Sequence, residues 1–513
     1  MSEPAEDNSP TTALPILAKV YFVLQILFGI GAAFWVLYNH QPETGDDIEH
    51  LHSTWLVYSG QIPYVDFFQH HNPLLWYIFS PLAGYLAYDI FLFDIVRIIS
   101  TLIMFGSLFV TGLIVRRFIA HSWYAALLSI ASIFPSFTIF SGEDYRPDNY
   151  MVFTFMVGIY YLLAYLEKKQ TKDLVWSFLS LFISFLFMQK VIFLLVFVGA
   201  VVVYQLYAGN IEIKDFGKAL VLPLIGTIIF LSWLIYHDMV ERYWLANYIF
   251  NLYIPDVYGG LVETTRTEFY VVSAIAFLSC GYFLYKGNLY ARIICLLWIA
   301  EAVQRFFYFS LDRHYYYQLQ VLNGIMAGSF MWKLINRWKW TSYIFIALSL
   351  VGMYAFYSYC AEKKMPPYFY RYITPKYVLD QTNRCDSILN GYGLTYGIFT
   401  KDVTYYWNLN GQLDVIGNKI GLAPLSNLNQ VILKYFPRII YTGPYWDEKL
   451  HQQNIEIPVH WVDSFIRDKY YMQSPFVDIF ILKPEYQAKR RCQYNVQEDS
   501  WEYFYKEPIG NVF

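Results

Sequence analysis

Long apolar runs separated by short polar connections fill the first two thirds of the chain, whereas the last third is an ordinary mixture of residues. A run of about 18 or more apolar residues is long enough to cross a bilayer as a helix. The pattern therefore predicts a multi-pass α-helical membrane protein with about eleven transmembrane helices. The predicted spans are 17–38, 94–115, 123–141, 149–166, 173–188, 191–208, 219–236, 268–286, 290–309, 315–332 and 341–360.

A further apolar segment, Leu74 to Tyr88, is short and is broken by Pro81 and Gly84. We place it in an interfacial or re-entrant position rather than as a span. With this placement most basic residues fall in one set of loops, and positively charged loops stay cytoplasmic. We therefore expect a cytoplasmic N-terminus and an outside C-terminus. The opposite loops contain Arg97, Arg146, Lys190, Arg242, Arg266 and Arg313.

The same pattern divides the chain into three parts. Residues 1–16 are acidic and rich in Pro, Ser and Thr, which indicates a disordered cytoplasmic tail. Residues 17–360 form the predicted membrane module, whose first outside loop is 39–93. Residues 361–513 contain short β-type runs closed by turn residues, alternating with helix-like sequence, and so predict a small α/β soluble domain outside the membrane.

Composition agrees with this organisation, since 15% of the residues are charged, against about 25% in soluble domains. The net charge of −3 gives no reason to expect a nucleic acid partner. Cys280, Cys295 and Cys360 fall in apolar helices, where we expect small buried side chains. Cys385 and Cys492 fall in the outside domain, where either a disulfide or two separate thiols is open.

The first outside loop carries the most concentrated polar chemistry in the chain. Between Asn39 and Val96 there is no Lys or Arg, yet this segment holds five of the ten histidines and seven acids. The acids are Glu43, Asp46, Asp47, Glu49, Asp66, Asp89 and Asp94, and the histidines are His40, His50, His52, His70 and His71.

Helical spacing after Gly45 puts Asp46, Glu49 and His50 on one face and apolar residues on another. This predicts an amphipathic interfacial helix with its carboxylates exposed. Carboxylates and imidazoles near a low-dielectric boundary suit a general base or a divalent cation site. The alternative is that the acids only keep an exported loop soluble, although acids contribute little to topology.

A second outside loop contains an acidic and a basic motif, from Glu143 to Asp148. Asp148 could simply stabilise the start of the next helix. Lys190 lies in a tight turn, and Arg313 and His314 open a later helix. Such cations at the outer surface can bind the phosphate of a lipid head group, or they can extend to the interface without any ligand.

Two stretches of the first loop, Gly45 to His52 and Pro63 to Trp76, together resemble the GT-C glycosyltransferases. More narrowly, they resemble bacterial relatives of the dolichyl-phosphate-mannose protein mannosyltransferases and of the aminoarabinose transferase that modifies lipid A. The triplet from Arg146 to Asp148 is similar to the second acidic motif of that superfamily. The Gln189-Lys190 turn is similar to its lysine-bearing turn. The resemblance covers the membrane module and not the C-terminal domain.

The resemblance implies that a sugar moves from a polyprenyl-phosphate donor to an acceptor hydroxyl on a glycan, lipid or protein at the periplasmic face, with inversion. It places the catalytic carboxylates at Asp46 and at the adjacent Asp47, with Asp46 as the expected base. The substrate-binding positions that it implies, with the cations singled out above, are Glu49, His71, Arg146, Asp148, Lys190, Arg313 and His314.

The sequence departs from the superfamily at one position. His70 stands where members carry an acid that in some cases helps to bind a metal. If a divalent metal ion takes part, Asp148 and His70 are its expected ligands.

A second functional class is a transporter or flippase of lipid-linked sugars. It would use Glu301 and Arg305 as a relay near the midplane; these residues are spaced i and i+4 in a membrane helix, so we expect them to pair. Transporters commonly have two related halves with broken helices at matching places, and the sequence has no such repeat. A third class is a receptor-like protein that acts through its C-terminal domain. Such a protein would leave the polar clusters of the membrane-proximal loops without a function.

Overall fold

The computed structural model describes most of the membrane module and separate stretches of the C-terminal part. The described residues are 16–39, 46–133, 141–257, 267–307, 316–362, 376, 378–383, 386–390, 399–403, 405, 413–422, 432, 435–441, 468–472, 479–487, 490–495 and 500–505.

Helices dominate the described part of the chain up to residue 362. They are α1 (Ile16–Asn39), α2 (Asp46–Tyr58), α3 (Leu74–Tyr85), α4 (Leu92–Ile114), α5 (Trp123–Ile133), α6 (Pro147–Lys168), α7 (Thr171–Phe187), α8 (Ile192–Tyr207), α9 (Ile213–Tyr236), α10 (Val240–Trp244), α11 (Phe250–Val257), α12 (Thr267–Lys286), α13 (Leu289–Phe307), α14 (Tyr317–Arg337) and α15 (Thr341–Glu362).

Each of the eleven apolar segments that the sequence indicates overlaps one of these helices within the described residues, and the protein is a multi-pass membrane protein. Within the described residues, 5 helices are long and apolar enough to cross a membrane by length and composition. How many of the remaining helices cross the membrane stays a prediction. Helix α3 has 12 residues and contains Pro81, so it reaches about 18 Å against the roughly 30 Å of a bilayer core.

Helices α5 and α14 pack against each other so closely that glycine is required. Gly324 and Gly328 are four residues apart on α14, a spacing that lets two helix backbones approach in a membrane protein. A Cβ added at Gly328 would overlap the backbone of Ser129, whereas one added at Gly324 would meet first the side chain of Ile133.

The described C-terminal residues contain a five-stranded mixed sheet and a two-stranded hairpin. The elements are β1 (Ser387–Asn390), β2 (Lys401–Asp402), α16 (Leu413–Lys419), β3 (Ile439–Tyr441), β4 (Tyr470–Met472), β5 (Ile479–Leu482), α17 (Pro484–Gln487), β6 (Arg490–Asn495) and β7 (Ser500–Tyr505). The sheet order is β2-β1-β3-β5-β4, with β1 parallel to both of its neighbours and β5 antiparallel to both of its own. Strand β2 is therefore an edge strand.

The chain divides into two compact units, each built from three segments. We call Met1–His40, Arg97–Gly226 and Gly260–Met365 the core unit, and Gln41–Val96, Thr227–Gly259 and Pro366–Phe513 the loop unit. The loop unit thus unites the first outside loop with the C-terminal part. The three-part division with a boundary at residue 361 remains a prediction. Cys280 and Cys295 are free and buried as expected, while Cys385 lies outside the described residues.

Candidate active site

Helix α2 carries the acids of the first loop. It begins at Asp46, so that Asp46, Asp47 and Glu49 occupy its first turn, where the helix dipole favours negative charge. Asp47 is fully buried and Asp46 is half-buried. Of the two aspartates predicted to be catalytic, Asp46 is therefore the one that a substrate hydroxyl can reach.

The polar face of α2 is not exposed as its spacing predicts. Every residue from Asp47 to Leu56 is buried, on both the apolar and the polar face. The reason is that polar partners from elsewhere in the loop unit cover that face, which makes its burial possible. The expectation of a surface helix with carboxylates facing solvent was wrong for all but Asp46.

Glu49 is a buried acid of this helix with a raised pKa. Its Oε1 accepts a hydrogen bond of 3.0 Å from Nε2 of Gln69, which also donates to Oγ of Ser53 at 2.7 Å. Burial raises the pKa of Glu49 to about 8, and the hydrogen bond from Gln69 opposes that rise only in part. Glu49 therefore keeps its proton at neutral pH. The sequence pattern did not indicate Gln69, because an isolated glutamine in an aromatic stretch carries no recognisable signal.

Three imidazoles lie next to one another in the loop unit. The ring centroids of His70 and His71 are 4.1 Å apart, and those of His50 and His71 are 5.3 Å apart. Nε1 of Trp76 donates to Nδ1 of His50 at 3.3 Å, which leaves the ring proton of a neutral His50 on Nε2. The structure thus brings together His50, His70 and His71.

The turn that carries His70 and His71, residues 61–73, is fixed by hydrogen bonds at several points. Tyr64 donates from its hydroxyl to the carbonyl of His71. From the segment that contains α10 and α11, Nδ2 of Asn251 donates to the carbonyl of His70 at 3.1 Å, and Oη of Tyr243 donates to Oδ1 of Asn72 at 2.7 Å. These partners keep the two histidines in one arrangement.

A second cluster lies in the core unit at the start of α6. Pro147 occupies the first turn of that helix, and Asp148 is buried beside it. Oδ1 of Asp148 pairs with Nζ of Lys190, and Oδ2 of Asp148 lies 3.3 Å from Nε of Arg146. The predicted residues Arg146, Asp148 and Lys190 are therefore in contact. Two cations face one carboxylate, so these three side chains together carry a net positive charge.

The cluster is tied to neighbouring helices of the core unit. Nη2 of Arg97 lies 3.4 Å from Oε2 of Glu143, and both side chains are fully buried. Nδ2 of Asn149 donates to the carbonyls of Ser100 and Gly142 at 2.6 and 2.7 Å. These contacts fix the chain just before Arg146, and the sequence pattern did not indicate that Arg97 and Glu143 are partners.

Helix α13 contacts the turn that carries Lys190. Nε2 of Gln304 donates to the carbonyl of Lys190 at 3.3 Å. Nε of Arg305 donates to Oε1 of Glu301 at 2.8 Å, and both residues are buried. The i and i+4 pairing of Glu301 with Arg305 is confirmed.

Two of the predicted substrate-binding residues, Arg313 and His314, lie outside the described residues. Among the residues that are described, no three His, Cys, Asp or Glu side chains are arranged to hold a metal ion. Both carboxylate oxygens of Asp148 already face a cation, a setting that does not fit an added divalent ion. A metal role for Asp148 and His70 stays a prediction.

No family model matches the sequence, and no curated protein is similar to it by sequence. Solved structures, in contrast, are similar in fold. The chain aligns with the apo crystal structure of ArnT from Cupriavidus metallidurans at a TM-score of 0.58 and 11% identity, covering 91% of this chain and 98% of ArnT.

Two further structures support the same comparison. ArnT of that organism bound to undecaprenyl phosphate aligns at a TM-score of 0.56 and 11% identity, with the same coverage of 91% and 98%. The apo oligosaccharyltransferase of Archaeoglobus fulgidus aligns at a TM-score of 0.50 and 10% identity, covering 85% of this chain and 69% of that one. At such identities the shared property is the fold. The resemblance carried by the first-loop motif is confirmed at that level: the chain has the fold of the GT-C glycosyltransferase superfamily.

Proposed function

We propose that this protein is a membrane glycosyltransferase that moves a sugar from a polyprenyl-phosphate donor to a hydroxyl of a glycan, lipid or protein acceptor. The observation that carries the proposal is the first turn of α2. There, on a GT-C fold, a half-buried Asp46 precedes a fully buried Asp47 and a neutral Glu49. ArnT, which has the same fold, has been crystallised with undecaprenyl phosphate, and a lipid of that chemistry is the donor proposed for this chain.

Asp46 acts as the general base in this proposal. It takes the proton of the acceptor hydroxyl while the hydroxyl oxygen attacks the anomeric carbon. The bond between that carbon and the donor phosphate breaks in the same displacement, so the anomeric configuration inverts. Asp47, the second acid of the proposed catalytic pair, is buried next to Asp46, and Glu49 is protonated at neutral pH.

The departing polyprenyl phosphate requires positive charge. Arg146 and Lys190, the two cations that face Asp148, are proposed to supply it. Arg313, a basic residue predicted at the outer surface, is proposed for the same task, and the adjacent His314 is proposed as a substrate contact. Glu49 and His71 remain proposed substrate contacts. Transfer takes place at the periplasmic face of the inner (plasma) membrane, with the N-terminus cytoplasmic and the C-terminal part periplasmic.

The test uses the purified full chain in lipid nanodiscs, given polyprenyl-phosphate sugars and candidate acceptors with and without a chelator. We expect Asp46→Asn to lower kcat by about 10² to 10⁴, the usual contribution of a general base, without loss of donor binding. Asp89→Asn is the matched control, because Asp89 is an exposed acid of the same loop. Transfer by Asp46→Asn at the wild-type rate would sink the proposed base.

The alternative is a transporter of lipid-linked sugars, which would move the intact lipid across the membrane without breaking the glycosidic bond. Glu301 and Arg305, its expected relay, bond to each other within one helix, which favours a structural role. Translocation that depends on this pair, in the absence of any sugar transfer, would decide for the transporter.

A further inference from the structure

Two residues of the C-terminal part contact the first outside loop, and they lie on either side of the edge strand β2. Phe399 precedes this strand and Tyr405 follows it. Phe399, Tyr405 and the residues that they contact all belong to the loop unit. The edge of the five-stranded sheet is therefore linked at two points to the elements that carry Asp46 and the histidines.

Tyr405 makes reciprocal hydrogen bonds with the turn 61–73. Its hydroxyl donates to the carbonyl of Tyr64 at 2.9 Å, and its own carbonyl accepts from the backbone N–H of Phe68 at 2.7 Å. The rings of Tyr405 and Phe68 also meet edge to face, with centroids 6.3 Å apart. A side chain and a backbone group of one residue thus hold the turn at two positions.

Phe399 provides a second point of attachment. Its ring packs edge-on against Trp55 of α2, with centroids 6.5 Å apart, and lies 5.8 Å from the ring of Tyr88. Further along the chain, Nζ of Lys419 lies over the ring of Tyr253 in α11 at 4.6 Å. Three successive pieces of the C-terminal part therefore contact this unit: Phe399 contacts α2 and the segment after α3, Tyr405 contacts the turn 61–73, and Lys419 contacts α11.

The turn needs support at the residue that Tyr405 contacts. Tyr64 has φ of 67°, a left-handed conformation that is unfavourable for a residue with a Cβ and persists only when its surroundings hold it. Tyr64 is fully buried, and its hydroxyl donates to the carbonyl of His71. Tyr64 consequently connects Tyr405 to the histidine pair.

We propose that Phe399 and Tyr405 hold the first-loop turn in place, and that Tyr405 is a positioning residue for His70 and His71. This gives the C-terminal part a role in the reaction, because it fixes the turn that follows α2 rather than binding a separate ligand. The effect on catalysis rests on the proposed function. The structural effect on the turn does not.

The test compares two conservative variants of the full chain in nanodiscs. Tyr405→Phe keeps the ring and removes the hydroxyl that bonds Tyr64. Tyr470→Phe is the matched control, because the hydroxyl of Tyr470 likewise donates to a backbone carbonyl, that of Pro437 at 2.9 Å, but within the C-terminal sheet. Amide hydrogen exchange of peptides covering 61–73 is the first measurement, and diethyl pyrocarbonate labelling of His70 and His71 is the second.

We expect the rate of amide exchange and the rate of histidine labelling to rise about five-fold in Tyr405→Phe, because the loss of one net hydrogen bond corresponds to about that factor. Both rates should stay at the wild-type value in Tyr470→Phe. Phe399→Leu, which removes the second attachment without touching a hydrogen bond, should raise them as well. In the transfer assay Tyr405→Phe should lower kcat by a similar factor and leave the donor KM unchanged.

Equal exchange in wild type, Tyr405→Phe and Phe399→Leu would overturn the proposal, as would an equal increase in Tyr470→Phe. Exchange that rises in Tyr405→Phe while kcat stays at the wild-type value would overturn the positioning role. If the wild-type protein transfers no sugar at all, the proposed function fails, and the exchange experiment still decides whether Tyr405 holds the turn.

Discussion

The two acidic clusters of this protein use the same residue type in opposite ways. In the loop unit, the buried Glu49 faces the neutral amide of Gln69, and burial raises its pKa to about 8. In the core unit, the carboxylates of Asp148 and Glu143 face Lys190, Arg146 and Arg97. Burial without a compensating cation favours the protonated form of a carboxyl group, and a nearby cation favours the charged form. The first cluster therefore suits proton transfer, and the second suits a fixed array of charges that holds an anion.

The largest expected effect is a loss of folding stability when the buried ion pair of the core unit is broken. Arg97→Met removes the guanidinium that faces Glu143, and loss of one partner of a buried pair destabilises by about 3 to 5 kcal/mol. Arg97→Met combined with Glu143→Leu should recover most of that loss. Denaturant unfolding in mild detergent measures both variants. The control is Lys214→Gln, because Lys214 and Glu212 form an exposed pair, whose loss should leave the free energy of unfolding almost unchanged.

An unchanged free energy of unfolding in Arg97→Met would contradict the view that charged pairs organise the core-unit cluster. A double variant no more stable than the single one would do the same.

The next effect concerns Lys190 and the anion that the core-unit cluster is proposed to hold. Lys190→Gln removes one of the two cations at Asp148, so the net charge of the three side chains falls from positive to neutral. We expect kcat to fall by about 10² or more, as when one electrostatic donor to a developing anion is lost. Steady-state transfer kinetics measure this, and Lys214→Gln again serves as the control. A kcat at the wild-type value in Lys190→Gln would show that this cluster takes no part in the reaction.

The smallest expected effect is a change in stability per pH unit, caused by the protonated Glu49 of the loop unit. Because the pKa of Glu49 is raised from 4.5 to about 8 on folding, the folded state keeps a proton that the unfolded state loses. Between about pH 4.5 and pH 8 this group should make the protein less stable as pH rises, by up to about 1.4 kcal/mol per pH unit. Glu49→Gln should remove that slope, and thermal unfolding at several pH values measures it.

For Glu49, a stability difference between wild type and Glu49→Gln that is constant from pH 5 to pH 8.5 would show that Glu49 is ionised when folded. Glu49 and Asp148 would then both be charged, and the two clusters would not differ in the charge of their carboxyl groups. Asp89→Asn, at an exposed position of the same loop, is the matched control.

Local patterns predicted much of this fold and part of the candidate site. The apolar runs coincide with helices, and the acids after Gly45 mark the start of α2. The spacing of Glu301 and Arg305 predicted their pairing. These inferences depend on local sequence, either on apolar runs of about 18 residues or on neighbours within about four residues.

Contacts between distant residues could not be predicted in this way. Gln69 lies 20 residues from Glu49, Arg97 lies 46 residues from Glu143, and Tyr405 lies 341 residues from Tyr64. Spacing alone cannot pair residues so far apart. This is why α2 looked like a surface helix: its polar face is covered by partners that no local pattern reveals. The assignment of roles within the site stays a prediction.

The close packing of α5 and α14 sets a rule for which sequence changes the protein can accept. At Gly324 the first obstacle to a larger residue is the side chain of Ile133, so a smaller residue at 133 can partly make room. At Gly328 the obstacle is the backbone of Ser129, which every residue type shares. In a library randomised at positions 129, 133, 324 and 328, we therefore expect variation at 324 to be linked to 133, and glycine to be retained at 328 whatever occupies 129.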